Sequence, residues 1–236
     1  MSDPKASIII TSYNQPKYLK ECIDSCLNQV YYNIEIIIAD DNSSKPEVWD
    51  VINSYSDSRI ISFNSKVKEE DRLKTARYAT QINTAVRQYS SGKYLFYLPD
   101  DDLFYPDKVR MHVEHAERNS YDVVYGAQDF IDASGNVAGT RYDGTGERSG
   151  RVLDDGHGVL DHGQVMTTRK AYDNVDGWDD SPGTWGGADA FFWTRLSRYG
   201  YKFYPLPFVC LSAKRYREHS VQWNIAQNLL PTDGFQ

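Results

Sequence analysis

The chain has 236 residues, a formal net charge of −7 and no block of Lys or Arg, which argues against nucleic acid as a partner. No stretch approaches the ~20 apolar residues of a membrane-spanning helix, so we predict no transmembrane segment. The first residues lack the basic start and apolar core of a signal segment, and the three cysteines form no CxxC pair. We therefore expect a cytoplasmic protein with reduced thiols.

The first half of the chain alternates predicted strands with predicted helices. Apolar runs predict strands over residues 6–10, 34–39, 60–63 and 94–98. Amphipathic spacing predicts helices over residues 16–28 and 47–55, between these strands. Repeated strand–helix–strand units of this kind predict a parallel sheet.

Three consecutive carboxylates, Asp100, Asp101 and Asp102, follow the predicted strand 94–98. Pro99 ends that strand because it has no N–H to donate, and Pro106 favours the start of a helix soon after. Hard cations such as Mg²⁺ or Mn²⁺ bind oxygen ligands, and open α/β sheets bind ligands beyond the carboxyl ends of their strands. The pattern predicts a divalent-cation site. The alternative is a solvated acidic turn that caps the next helix.

Polar side chains that suit a nucleotide follow the first two predicted strands. Thr11 and Tyr13 close the first strand, and Asp41 closes the second. A carboxylate can accept from a ribose hydroxyl or a base N–H, and a tyrosine can stack on a base. The alternative role for Asp41 is a turn or helix cap within Asp-Asn-Ser-Ser. Neither GxGxxG nor GxxxxGK[ST] is present, so the dinucleotide and P-loop motifs are not supported.

The segment 66–87 begins with a polar, basic stretch that leads into a third predicted helix. Arg72, Lys74 and Arg77 could offset a pyrophosphate or reach a base, or they could lie on a solvated helix face. The predicted buried face of the helix consists of Ala79, Ile82, Asn83 and Val86.

The second half predicts a strand over 121–125, a hairpin turn over 132–136, a Gly-rich mobile loop over 143–158 and a strand over 161–166. His162 is adjacent to Asp161, as in many structural hydrogen-bond pairs. Near the end, a basic loop contains Lys214, Arg215, Arg217 and His219. This loop could close over a diphosphate, with His219 as a metal or phosphate contact, or it could be a solvated basic turn.

Taken in order, SIIITSYN, EIIIADDNS, RLKTARYATQIN and SGKYLFYLPDDD resemble the inverting family 2 nucleotide-sugar glycosyltransferases of GT-A fold. The resemblance covers nearly the whole chain and is strongest to the spore-coat branch of that family. It implies a Rossmann-like α/β fold, with a mostly parallel central sheet flanked by helices and a smaller mixed acceptor-side region. It also implies one compact domain with a nucleotide-sugar-binding half, 1–110, and an acceptor-binding half, 111–236.

The resemblance also implies site residues. The implied nucleotide-binding residues are Thr11, Tyr13, Asp41, Arg72, Arg77 and Asp100, with Tyr13 stacking on the base and Asp100 on the ribose side. Asp101 matches the metal-binding acid of the DxD motif, and Mn²⁺ or Mg²⁺ is the implied cofactor. The usual first acid falls on Pro99, and Asp102 is an additional carboxylate where the spore-coat branch has an amide. All three acids therefore remain candidates for the metal ligand.

Asp189 matches the catalytic base of the family, before a helix and the string GYKFYPLP. Inverting transfer requires one carboxylate to take the proton of the acceptor hydroxyl. The alternative is a first-turn acid or N-cap, because residues 183–187 cannot be helical and residues from Asp189 onward can. We expect Phe192, Leu196 and Tyr199 on one face of that helix.

The implied reaction is inverting, metal-dependent transfer of a sugar from a UDP- or dTDP-sugar to a carbohydrate or other hydroxyl acceptor, in surface, spore-coat or other polysaccharide synthesis. One alternative is a nucleotidylyltransferase, although TSYNQPKY lacks the Gly-rich basic loop of those enzymes. Another is a sugar-nucleotide-binding module without transferase activity, which the joint presence of Arg72, Asp101 and Asp189 argues against.

Overall fold

The fold is built on one nine-stranded sheet in the computed structural model, which describes residues 3–141 and 160–216. The strands are β1 Ala6–Ser12, β2 Ile34–Asp40, β3 Ile60–Asn64, β4 Tyr94–Pro99, β5 Leu103–Phe104, β6 Val123–Ile131, β7 Val137–Arg141, β8 Val165–Thr168 and β9 Phe203–Arg215. The α-helices are α1 Pro16–Leu27, α2 Glu47–Asn53, α3 Arg77–Thr84, α4 Lys108–Asn119, α5 Arg169–Asn174 and α6 Ala188–Arg198.

The strand order is β3-β2-β1-β4-β8-β6-β9-β5, with β7 paired to β6. Strands β1 to β4 pair in parallel, and so do β6 and β9, whereas β8 runs antiparallel to both β4 and β6. The expected α/β fold, with a mostly parallel central sheet and a smaller mixed region, is confirmed. Across the described ranges, no helix combines the length and apolarity needed to cross a bilayer.

Hydrophobic cores cover both faces of the sheet. Side chains alternate between the two faces of a strand, so neighbouring isoleucines of β1 enter different cores. Ile8 and Ile10 pack on the face covered by α1, α2 and α4. Ile9 packs on the opposite face, with residues of α3, α5 and α6. Burial on both faces explains why the predicted strands are almost continuously apolar.

The predicted hairpin of the second half is confirmed. Strand β6 turns through residues 132–136 into antiparallel β7, and the Asp132 N–H donates to the Asn136 carbonyl oxygen at 2.9 Å. Gly135 has a φ of 90°, a backbone conformation that favours glycine. Strand β6 is longer than the predicted strand 121–125 because it also pairs with β9 up to Ile131.

The strand predicted over 161–166 is wrong in its first half. Residues His162–Gln164 form a 3-10 turn, and β8 begins only at Val165. Asp161 caps this turn. Its side chain accepts from the Gly163 N–H at 3.0 Å, and its own N–H donates to Oε1 of Gln164 at 3.0 Å. This capping box satisfies backbone donors that a strand would have paired across the sheet.

One expectation around α6 is confirmed and one is wrong. The segment 183–187 forms no α-helix, and only the end of a short 3-10 turn, Pro182–Thr184, enters it. Tyr199 does not share the buried face of Phe192 and Leu196, because it is the exposed C-cap residue of the helix. The predicted buried face of the third helix is confirmed at all four positions, with Val86 in the π-helical turn that follows α3.

The predicted basic loop is wrong for its first two residues, because Lys214 and Arg215 belong to β9. Strand β9 pairs with β6 on one side and with the two-residue strand β5 on the other, which extends it past the acidic turn. Arg217, His219 and the predicted mobile loop 143–158 lie outside the described residues. The cysteines Cys22, Cys26 and Cys210 are free thiols.

Candidate active site

The carboxyl ends of β1, β2 and β4 meet at one edge of the sheet. Thr11 is in register with Pro99, and Ser12 is in register with Asp40. The chain adds β2 and β3 on one side of β1 and then places β4 on the other. The resulting switch point between β1 and β4 is where open α/β sheets form ligand crevices.

Asp100 ties the end of β4 to the end of β1 at this switch point. Its N–H donates to the Thr11 carbonyl oxygen at 3.0 Å. Its Oδ2 accepts from Ser12 Oγ and from the Tyr13 N–H, both at 2.9 Å. Asp100 is therefore a buried residue whose hydrogen bonds hold the backbone of residues 11–13 in place in the crevice.

Asp41 lies at the centre of a hydrogen-bonded group, the Asp41 cluster, formed by Asp41, Ser65, Arg72, Arg77 and Gln81. Arg77 contacts Asp41 Oδ1 through Nη2 at 2.6 Å, and Arg72 contacts Oδ2 through Nη2 at 2.7 Å. Gln81 and Ser65 also donate to Oδ1. Burial raises the pKa of Asp41, but hydrogen bonds and charge from Arg77, with the charge of Arg72, outweigh it and lower the pKa below its ordinary value.

The turn-forming role proposed as an alternative for Asp41 belongs to its neighbour Asp40. Asp40 Oδ1 accepts from Ser43 Oγ at 2.5 Å, and Oδ2 accepts from Trp49 Nε1 at 2.9 Å. Asp41 instead points towards the Arg72 and Arg77 side chains. Of the two adjacent acids, Asp40 is thus a structural residue and Asp41 is a site residue.

Arg72 joins the Asp41 cluster to Tyr13. Its guanidinium carbon lies 3.7 Å from the centre of the Tyr13 ring, and its Nη1 donates to the Asp41 carbonyl oxygen at 2.7 Å. A cation over an aromatic face is a favourable contact. Arg72 therefore already occupies one face of Tyr13, and a base can stack on that face only if Arg72 moves.

The acidic turn after β4 is held by the end of β9. The Arg215 N–H donates to Asp102 Oδ1 at 2.7 Å, and Arg215 Nε donates to the Asp101 carbonyl oxygen at 3.0 Å. Arg215 is itself buried and pairs with Glu21 at 2.6 Å. The turn is therefore part of the folded core, and the alternative of a solvated acidic turn is wrong.

A second group of charges, the Lys214 cluster, contains Asp102, Asp161, His162, Asp189 and Lys214. Lys214 forms an ion pair with Asp161. Burial lowers the pKa of Lys214, but the charges of Asp161, Asp102 and Asp189 outweigh it and raise the pKa above its usual range. Burial together with the charges of Asp101 and Asp161 raises the pKa of Asp102.

His162 lies between Asp161 and Asp189 without a hydrogen bond to either. Its Nδ1 is 3.8 Å from Asp189 Oδ2, and both of its buried ring nitrogens lack a hydrogen-bond partner among the described residues. The expected structural pair of His162 with Asp161 is therefore wrong, because Asp161 accepts from Gly163 and Lys214 instead. Tyr78 covers His162, with ring centres 5.9 Å apart.

Asp189 lies in the first turn of α6, as predicted, and is partly exposed. Its Oδ1 accepts from the Ala190 N–H at 2.9 Å. The preceding N–H, of Ala188, donates to the Tyr78 hydroxyl at 2.7 Å, which anchors the start of the helix. Asp189 is not the N-cap, because Gly187 occupies that position without a side-chain hydrogen bond.

The Lys214 cluster suits a cation. Asp161, His162 and Asp189 each offer a ligand atom within 4.8 Å of one another. Asp102 is 2% exposed, and its Oδ2 has no hydrogen-bond partner in the part of the chain that the structure describes. Unpartnered buried oxygens next to other carboxylates are stabilised by a cation, and hard divalent metals prefer such ligands.

A family model described as "Glycosyl transferase family 2" matches residues 7–176. The chain belongs to glycosyl transferase family 2. The matched region contains the crevice between β1 and β4, the Asp41 cluster, and both Asp161 and His162. It ends before Asp189.

Among curated relatives, protein CgeD of Bacillus subtilis is 37% identical over 202 residues, which are 83% of this chain and 46% of CgeD. The glucosyltransferase WfaP of Escherichia coli, named for UDP-Glc and GlcNAc-diphosphoundecaprenol, is 33% identical over 129 residues, 53% of this chain and 48% of WfaP. The chain thus spans less than half the length of either relative.

Solved structures share the fold. TarS 1–349 of S. aureus with UDP-GlcNAc superposes with a TM-score of 0.69 at 14% identity, covering 92% of this chain and 60% of that one. The mannosyltransferase PcManGT of Pyrobaculum calidifontis, with GDP-Man and Mn²⁺, gives 0.68 at 15% identity, covering 96% and 61%. The architecture is therefore that of the GT-A glycosyltransferases.

The structure groups the predicted site residues into two sets. The first set is linked in a chain: Tyr13 contacts Arg72, both Arg72 and Arg77 contact Asp41, and Asp100 is bonded to the Tyr13 backbone. In the second set, Asp102 and Asp189 interact electrostatically through Lys214. Sequence analysis missed the supporting residues Gln81, Ser65 and Glu21. Gln81 follows Arg77 by one helical turn, which is a signal that could have identified it.

Proposed function

We propose that the chain transfers a sugar from a UDP- or dTDP-sugar to an acceptor hydroxyl with inversion, using a divalent metal such as Mn²⁺ or Mg²⁺. One observation carries the proposal. The Asp41 cluster and the acidic turn lie at one edge of the sheet and are joined through Tyr13, and the Lys214 cluster links that turn to Asp189. Residues 1–110 supply the donor side, and residues 111–236 supply the acceptor side.

The donor nucleoside binds against Thr11, Tyr13, Asp41, Arg72, Arg77 and Asp100. Arg72 is the adjustable member, because it pairs with one carboxylate oxygen of Asp41 and lies over the Tyr13 ring. Arg77 is the fixed member, because it is buried and contacts both carboxylate oxygens of Asp41. Movement of Arg72 exposes the ring of Tyr13 and one oxygen of Asp41 to a pyrimidine base.

Asp101 holds the metal, with Asp102 as the neighbouring carboxylate. The cation, when bound, neutralises the diphosphate leaving group. The oxygen donors of the acidic turn fit a hard cation, and Arg215 fixes the turn in place through its hydrogen bond to the Asp101 carbonyl.

Asp189 is the general base. The acceptor oxygen forms a bond to the anomeric carbon while the bond from that carbon to the phosphate oxygen breaks. The diphosphate leaves with the bonding electron pair, the hydroxyl proton passes to the Asp189 carboxylate, and attack from the opposite face inverts the configuration. The Ala190 N–H orients the carboxylate for this step, and the Tyr78 hydroxyl anchors the start of the helix that carries it.

The proposal is tested by incubating the protein with a panel of UDP- and dTDP-sugars and measuring the release of UDP or dTDP. Parallel reactions contain Mn²⁺ or a chelator. Slow hydrolysis by water serves as the readout until an acceptor is known, and a polysaccharide or lipid-linked acceptor should then accelerate release. Absence of both nucleotide binding and nucleotide release across the panel would contradict the proposal.

A further inference from the structure

Lys214 brings a fixed positive charge into the acidic site. It lies near the end of β9, in register with Phe130 of β6, so its backbone is held by the sheet. Its side chain is 16% exposed and is paired with Asp161. An ammonium group with this burial and pairing is a structural component of the site rather than a solvated surface charge.

The charges around Lys214 are unbalanced. Asp102, Asp161 and Asp189 all act on Lys214 electrostatically, so three carboxylates share one ammonium group. Asp102 Oδ2 remains without a hydrogen-bond partner within the described ranges. A lysine can neutralise part of this group, but it contributes one charge where a divalent metal would contribute two.

We propose that Lys214 is a tethered cation that competes with the divalent metal for this group of carboxylates. A metal bound at the acidic turn and the Lys214 ammonium are both attracted by Asp102, and they repel each other. The inference rests on the proposed function, because it takes the acidic turn as the metal site. It adds that Lys214 lowers the metal affinity of the protein in the absence of the donor.

Competition of this kind couples metal binding to donor binding. The diphosphate of a sugar nucleotide brings additional negative charge into the site. With the donor present, the site can hold both cations, because the phosphate oxygens offset the repulsion between them. The metal then binds tightly together with the sugar nucleotide and weakly before it.

The alternative is that Lys214 only neutralises Asp161. Removal of the lysine would then destabilise the fold by leaving a buried carboxylate unpaired, with no gain in metal affinity. The two possibilities differ in the sign of one measurable quantity, the change in metal affinity when Lys214 is replaced. Removing a residue that supports metal binding weakens it, whereas removing a competitor strengthens it.

The test is titration of Mn²⁺ without nucleotide, followed by electron paramagnetic resonance or calorimetry, in the wild type and Lys214→Gln. We expect Lys214→Gln to bind Mn²⁺ about tenfold tighter or more, because a nearby positive charge is lost. Lys214→Arg keeps the charge and should bind as the wild type does. Lys93→Gln removes a lysine from an exposed ion pair with Glu117 and should also bind like the wild type.

The inference is overturned if the Lys214→Gln variant binds Mn²⁺ with the same affinity as the wild type, more weakly, or not at all. If this variant does not fold, the same comparison is made between Asp161→Asn and the double variant Asp161→Asn/Lys214→Gln, which leaves no unpaired partner. The double variant should again bind Mn²⁺ more tightly than Asp161→Asn, and equal affinity overturns the inference.

The result of the Lys214 test can be distinguished from the result of the sugar-nucleotide test of the proposed function. Wild-type protein that binds and cleaves a sugar nucleotide, with Mn²⁺ affinity unchanged in Lys214→Gln, overturns the inference alone. A gain in Mn²⁺ affinity in Lys214→Gln supports the role of Lys214 even where the nucleotide panel fails, and that failure contradicts the proposed function alone.

Discussion

The Asp41 cluster and the Lys214 cluster are two solutions to the burial of carboxylates at one edge of the sheet. In the first, one carboxylate faces two arginines, a glutamine and a serine, and the pKa of Asp41 is lowered against the effect of burial. In the second, three carboxylates share one lysine, and burial and neighbouring acids raise the pKa of Asp102.

The difference shows which carboxylates already have partners. In the Asp41 cluster both carboxylate oxygens accept from or pair with neighbouring side chains, so the position of Asp41 is set before any ligand binds. The Lys214 cluster contains unpartnered buried atoms on Asp102 and His162, at least among the residues described. Buried polar groups of this kind are stabilised by a ligand, a metal or a proton. Loss of the buried partner Arg77 from the first cluster should therefore affect mainly stability, whereas substitutions in the second cluster should affect mainly function.

The largest expected effect is on turnover by Asp189→Asn. The amide keeps the shape of the side chain but cannot accept the proton, so turnover should fall by roughly 10²–10⁴-fold. Binding of UDP or dTDP, measured by calorimetry, should remain within about twofold of the wild type because the nucleoside residues are untouched. Near-normal turnover with a true acceptor would show that the proton goes elsewhere, and His162 or Asp161 would be the next residue to test.

Substituting the two arginines of the Asp41 cluster one at a time should distinguish an effect on stability from an effect on nucleotide binding. Arg77→Ala leaves buried Asp41 without its closest partner, and we expect a loss of about 3 kcal/mol in the free energy of unfolding. Arg72→Ala should lower nucleotide affinity far more than it lowers stability, because Arg77 still contacts both carboxylate oxygens of Asp41 and Arg72 lies over Tyr13. Chemical denaturation and calorimetry of both variants provide the comparison. Collapse of the melting temperature in Arg72→Ala would identify it as a structural ion-pair partner.

Within the acidic turn, we expect Asp101→Ala to remove the dependence of nucleotide binding on Mn²⁺, so that its affinity becomes equal with metal and with chelator. Asp102→Asn should have a milder effect, because an amide can still accept from the Arg215 N–H. Calorimetric titration with UDP, once with Mn²⁺ and once with a chelator, measures the nucleotide affinity of each variant. Equal affinity in both conditions for the wild type would contradict the metal assignment itself.

The smallest expected effect is a pH dependence from Asp41. Because its folded-state pKa is lowered, the carboxylate contributes stability above its unfolded pKa of about 3.9, and this contribution is lost as pH falls through the folded value. The melting temperature of the wild type should therefore exceed that of Asp41→Asn near neutral pH, and the difference should shrink below about pH 4. A difference that does not change with pH would show that the ion pairs of Asp41 contribute no net stability.

Much of the fold was predictable because local patterns and burial agree in the first half of the chain. Strands β1, β2 and β4 each contain an apolar run and are buried at nearly every position, and a strand buried on both faces favours that pattern. The ends of these strands then had to meet at one edge, which identified Asp41 and the acidic turn. The start of α6, with Asp189 in its first turn, followed from the change between a glycine-rich segment and a helical one.

Tertiary structure alone decided which charges meet. Lys214 and Asp161 are separated by 53 positions, and Arg215 and Glu21 by 194, so no local pattern could pair them. The basic segment that resembles a solvated loop became a strand because β5 and β6 supply its hydrogen-bond partners. The sequence by itself determined the apolar strands and the polar residues at their ends. Only the packing of β9 across the acidic turn decided that a lysine would lie among the carboxylates of the site, because side chains this distant in sequence meet only in the folded sheet.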